Sequence, residues 1–198
     1  FGLTLLPEVS TVVNNISLSY YGGETALAAY AVIAYVAFFV QIMIQSVGDG
    51  SQPLISVYRG AGDADAVRRL RNTNYLVAIA FGFVGLGIMF AVRNAIPLLF
   101  GASDIVKPVI AYALPVFSIC YIFYGFTHTT TSYFYAVDDS RSSNMLVIAE
   151  AIIVCVVVFI MGLLFQVDGI WFSPTVLQML LCIIAGTLLY RRHKAQKE

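Results

Sequence analysis

The stretch "SVGDGSQPLISVYRGAGDADAVRRL", residues 46–70, begins as the end of an apolar run and finishes as a basic segment with helical spacing. Between them stand Gly48, Gly50, Pro53 and Gly60, residues that weaken a helix interior. The pattern predicts an apolar helix that loosens as it leaves a membrane. Asp63 and Asp65 then sit where a new helix starts, and Arg68, Arg69 and Arg71 lie toward its end. Acid first and base last is the order a helix dipole favours. The stretch reads as a membrane exit followed by a short basic helix on the cytoplasmic face.

Composition agrees with a lipid solvent. Of 198 residues, 60% are hydrophobic and 11% charged, against about 45–50% and about 25% in a soluble domain. The 11 basic and 11 acidic residues balance, which gives no reason to expect nucleic acid as a partner. Apolar runs of spanning length occur at 1–21, 25–47, 75–92, 109–137, 143–165 and 170–190. Helices are the expected state, because lipid leaves an unpaired backbone group without a partner. The fold class is therefore all-α, a polytopic membrane bundle of about six helices. Turn residues separate the runs at 21–24, 137–140 and 166–169.

Lysine and arginine placement sets the expected direction. Arg59, Arg68, Arg69, Arg71, Arg141, Arg191, Arg192, Lys194 and Lys197 fall on one side, Arg93 and Lys107 on the other. The C-terminus, with a basic tail at 191–198, is expected in the cytoplasm. Pro115 should bend the fourth span, and Pro174 reads as a first-turn proline. Ala78, Gly82 and Gly85 form a surface for close helix approach. Cys120, Cys155 and Cys182 read as buried free thiols without metal or redox spacing. Zincin, nucleophile-elbow and phosphate-loop motifs do not occur, and the chain is not expected to be an enzyme.

Ionisable groups inside spans are functional candidates. Glu8 is followed by Thr11, Asn15 and Ser19 on one helix face, an oxygen-rich stripe suited to a hard cation or, around a desolvated carboxyl, to a proton. Ser10, Asn14 and Ser17 make a second polar stripe, so the direction of a cavity stays open. Tyr121, Tyr124, His128, Thr131 and Tyr135 lie along one side of the fourth span. Such a side can be an aromatic wall for organic cations or a helix-packing face. Tyr30, Ala34, Ala37, Gln41, Gln45 and Gly48 share a face in the second span, with Gln41 the residue expected to touch solute. Glu150, in the fifth span, is expected to reach the cytoplasmic surface or a basic group outside this chain.

"GDGSQPLISVYRGAGDADAVRRLRN" resembles the segment that ends the second helix of each lobe in multidrug and toxic compound extrusion (MATE) transporters, with Gly50, Gln52, Pro53, Gly60 and Ala61 carrying the likeness. It extends through "YYGGETALAAYAVIAYV" before it and, more weakly, through "YFYAVDDSRSSN" and "GIWFSPTVLQMLL". The resemblance implies one lobe of a twelve-helix fold, residues 1–198 being the C-terminal lobe of a chain whose N-terminal lobe is missing. It further implies an antiporter in the cell membrane, a bacterial inner membrane, exporting drug-like, cationic solutes in exchange for protons or sodium ions, with no other cofactor. In the sodium-coupled branch a glutamate binds the ion where Glu8 stands. The partnering aspartate of that branch falls on Tyr124 here, so sodium and protons both stay open. Many relatives carry arginine near Glu150. A lipid-linked oligosaccharide flippase of the same superfamily, or a channel or structural subunit, is the alternative. Acids, amides and aromatics in the candidate cavity favour cationic cargo.

Overall fold

The computed structural model describes residues 8–195, with side chains for 9–194. All regular structure among them is helical: α1 (Glu8–Gly60), α2 (Ala64–Val92), α3 (Ile96–Leu99), α4 (Val106–Ser118), α5 (Cys120–Ala136) and α6 (Ser140–Ala195). Three helices are long and apolar enough to cross a membrane, and the bent pair α4–α5 makes a fourth candidate.

Both long helices are broken by one residue with positive φ. Gly23 (φ 61°) divides α1 and Gln166 (φ 52°) divides α6. Each break is a corner. In α6 the two arms run back along one another, since Gln178 bonds to Glu150. In α1, Thr11 and Ala34 line one cavity from opposite sides of Gly23. The corners pack side by side: a Cβ on Gly22 would stand 3.0 Å from Val167. Around them a core of Tyr30, Tyr121, Leu114 and Trp171 is buried, and a second cluster of Ile55, Phe134, Leu146 and Ala185 fills the other end. Large apolar side chains such as Phe39, Phe83, Ile152 and Leu164 cover the outside, as lipid contact requires.

The small-residue face on α2 is a packing surface. Ala78, Gly82 and Gly85 are buried, and a Cβ on Gly82 would stand 2.6 Å from the carbonyl of Tyr121. Gly125 on α5 returns the fit, its missing Cβ being 2.7 Å from the carbonyl of Ala78. The helices touch through backbone.

Several expectations are corrected. Helix α1 is not loosened at 48–60; it runs unbroken through Pro53 to Gly60. Gly48 is there for contact, since a Cβ would lie 2.9 Å from Ser132 Oγ. The basic segment is not a short separate helix. Asp63 caps it, accepting the Ala66 N–H at 2.8 Å, but the helix continues to Val92 as α2. The fourth span is two helices bent by 41°; the break falls at Ile119, four residues past Pro115, through which α4 runs on to Ser118. Pro174 lies inside α6, not in a first turn. Its ring removes the N–H that would reach the Ile170 carbonyl, and the Ser173 hydroxyl donates to that oxygen instead, at 2.8 Å. Cys120 is buried, but Cys155 is exposed and Cys182 half-buried. Through Ala195 the basic tail continues α6.

Candidate functional site

The polar residues of α1, α5 and α6 face one another. Along the second arm of α1, Tyr30, Ala34, Ala37, Gln41 and Gln45 all line one cavity of about 220 Å³. Along α5, Tyr124, His128, Thr131 and Tyr135 line a second cavity of about 220 Å³. Gln45, Tyr124 and Glu150 belong to both, so the two hollows meet at one amide, one phenol and one carboxyl.

Hydrogen bonds tie the junction together. The Gln45 amide donates to the Tyr124 hydroxyl. The Gln178 amide donates to Glu150 Oε1 at 3.3 Å, and Gln178 Oε1 accepts the Thr127 hydroxyl at 2.7 Å. A second cluster lies along the same seam. Asp49 Oδ1 accepts from the Ser132 hydroxyl at 2.7 Å and the Gln52 amide at 3.1 Å, and His128 Nε2 stands 3.1 Å away. The His128 and Tyr124 rings are 5.6 Å apart. Among the described residues, no lysine or arginine lines either cavity. A carboxyl, amides, hydroxyls and ring faces make a surface suited to an organic cation.

The MatE family profile matches residues 4–161. The chain belongs to the MatE family. It is 21% identical over 190 residues to multidrug export protein MepA of Staphylococcus saprophyticus, covering 96% of this chain and 42% of that protein. It is 24% identical over 194 residues to MepA of Staphylococcus aureus, with the same coverage. The chain thus spans less than half the length of the curated relatives it matches. Its fold matches the outward-facing conformation of a multidrug resistance MATE transporter of the MOP superfamily, with TM-score 0.90 and 14% identity over 98% of this chain and 44% of that one. A MOP superfamily transporter from Pyrococcus furiosus, described as having a binding pocket of reverse polarity, fits with the same TM-score and identity over 99% of this chain and 45% of that one.

Among the residues singled out in this MatE chain, Gln41 and Thr11 line the first cavity, His128 and Thr131 the second, and Tyr124 both. Tyr121 does not. It is buried beside Gly85, where a Cβ would meet its ring at 3.5 Å. The side chain of Glu8 lies outside the described residues, and Asn15 is half-buried away from the cavity. From the other polar stripe, Ser10 lines the cavity and Asn14 is buried with its amide on the Ser10 carbonyl at 2.8 Å. No group of three metal-binding side chains occurs among the described residues. Of the MATE-like motif, Gln52 reaches Asp49, while Gly50 has open space around it. Glu150 is not at the cytoplasmic surface but at the meeting of the cavities. Asp49 is the residue that sequence reading missed. The signal was present: Gln41, Gln45 and Asp49 repeat every four residues on one helix face.

Proposed function

We propose that this chain is the C-terminal lobe of a twelve-helix secondary antiporter that exports cationic, drug-like solutes in exchange for protons or sodium ions by alternating access. The two corners of α1 and α6, with α2 and the bent α4–α5 pair, give six crossings in this reading. The arginine-rich end faces the cytoplasm of a bacterial cell, C-terminus included. The observation that carries the proposal is the junction of two cavities at Gln45, Tyr124 and Glu150, acidic and without a lysine or arginine among the described residues of its lining. An anionic flippase cargo would need the opposite polarity. Membership in the MatE family and likeness to multidrug exporters support the activity. Glu150 is the residue of choice for cation recognition, and Asp49 with His128 for proton exchange. Glu8, Thr11 and Asn15 remain the alternative coupling site.

The test is gradient-driven efflux of ethidium from proteoliposomes holding the full-length protein. Glu150→Gln should lower efflux about tenfold, within the usual range for coupled sites, while the variant still folds. Undiminished efflux removes Glu150 from the mechanism. Glu8→Gln run in parallel decides between the two coupling sites.

A further inference from the structure

The end of the lobe opposite the two corners holds a cavity that the transport reading does not use. It measures about 350 Å³ and opens where α1 ends, α2 begins, and α5 and α6 both finish. Arg59, Arg68, Arg71 and His193 line it, with Tyr133 and Val137 at its side and no carboxylate among the described residues of the lining. Among the described residues, no acidic group lies within ion-pair distance of Arg59, Arg68 or Arg71. Asp63, close in sequence, is engaged in capping α2.

A neighbour shows how this end neutralises an arginine when it does. Arg192 stands over the Tyr133 ring at 5.9 Å and donates to Asp139 at 2.6 Å. Arg71 stands over the same ring at 5.4 Å, and its guanidinium donates only to the neutral Asn72 Oδ1, at 3.0 Å through Nη2. Three guanidinium groups around one hollow repel each other unless an anion sits between them. Their planar forks match phosphate oxygens two at a time. The hollow has room for about ten waters at about 30 Å³ each, enough for a phosphate and its ester substituent.

We infer that this cavity binds a phosphate group, that of an anionic phospholipid headgroup or free phosphate, between Arg59, Arg68 and Arg71. The surroundings favour the lipid. Leu54 and Val57, on the turns of α1 just before Arg59, and Leu76, past Arg71 on α2, are exposed apolar side chains that acyl chains can cover. Basic pockets between membrane helices are a recurrent setting for such headgroups.

The experiment uses the full-length protein in detergent, with bound lipid counted by native mass spectrometry. Phosphatidylglycerol, phosphatidylcholine and inorganic phosphate are the three probes. Phosphatidylglycerol should bind and phosphatidylcholine should not. The R59Q/R68Q variant, both sites being exposed, should bind about 25-fold more weakly, at about fivefold per arginine. R59K/R68K should restore most of that loss. Should the double glutamine variant fail to fold, R68Q alone carries the measurement, with about a fivefold loss. Binding of inorganic phosphate in place of the lipid, with the same dependence on the arginines, identifies the source as free phosphate and upholds the site. Equal binding by wild type and variant, or no preference for phosphatidylglycerol over phosphatidylcholine together with no phosphate binding, overturns it. Efflux of ethidium is a separate readout, so failure here leaves the transport reading standing.

Discussion

The two sides of α5 are built on opposite terms. Toward α2 it presents Gly125 and its own backbone at Tyr121, which meet Ala78 and Gly82 in direct backbone contact, with Tyr75 packed on Phe126 and bonded to Thr130 alongside. Toward α1 and α6 it presents Tyr124, Thr127, His128 and Thr131, and hollows remain between the helices. Close backbone contact leaves one arrangement available, because a packed interface deforms little. A polar seam with spare volume can accept a solute or a proton. One helix therefore serves as a fixed wall on one side and a working surface on the other.

The largest effect should come from the fixed side. Gly82→Val sets a branched side chain against the Tyr121 carbonyl, 2.6 Å from the Cβ position, and against Ile122 Cα at 3.0 Å. Both obstacles are backbone, so the helices must part. A loss of about 1–3 kcal/mol or more is expected, read as a marked fall in the unfolding temperature of the detergent-solubilised protein. A variant that unfolds at the wild-type temperature would mean that α2 and α5 are not held as described.

A smaller effect belongs to the turn that leaves α5, outside both hollows. Burial pushes the Asp139 carboxyl up, but the Ser142 N–H and hydroxyl and the Arg192 guanidinium outweigh that and hold it below 3.8. Such a group stabilises the fold fully above 3.8, and the contribution disappears as pH falls through the lower folded value. Asp139→Asn should therefore cost about 0.5–1 kcal/mol at neutral pH and little in strong acid. Thermal unfolding of both proteins between about pH 3 and pH 7 checks it; a gap that does not narrow on acidification points to packing as the cause.

An effect of similar size and opposite sign contrasts two glycines. Gly48 is pressed against Ser132, while Gly50 has nothing within 4 Å of its Cβ position. Gly50→Ala should add about 0.5–1 kcal/mol, the usual gain for replacing a helical glycine. A decrease, measured in the full-length protein, would show that something outside this lobe rests on Gly50.

What the sequence disclosed follows from the same physics. Apolar runs and turn residues marked the helices, and corners fell at Gly23 and Gln166 inside the expected turns. Helix ends were harder. Gly48, Gly50 and Pro53 look like breakers by local propensity, yet the helix runs through them, with α5 contacted on either side at Gly48, Asp49 and Ser56. The fourth span does bend, but at Ile119 and not in the turn before Pro115, where the missing N–H acts. The cavity face of α1 was legible from spacing alone, through Gln41 and Gln45. Tyr121 shared its helix side with Tyr124 on paper but turned to α2, where the glycines leave space. Asp49 was missed, and the surroundings of Glu150 were not legible, because their partners His128 and Gln178 are distant in sequence.

Helix α6 is fastened at three levels: the Gln166 corner, the Gln178–Glu150 bond midway, and the Arg192–Asp139 pair at the mouth. A clasp shut at both ends cannot splay. Whatever swings when the hollows fill or empty, these two arms must travel as a single lever, carrying Glu150 and Gln178 together and leaving the give to the joints around them.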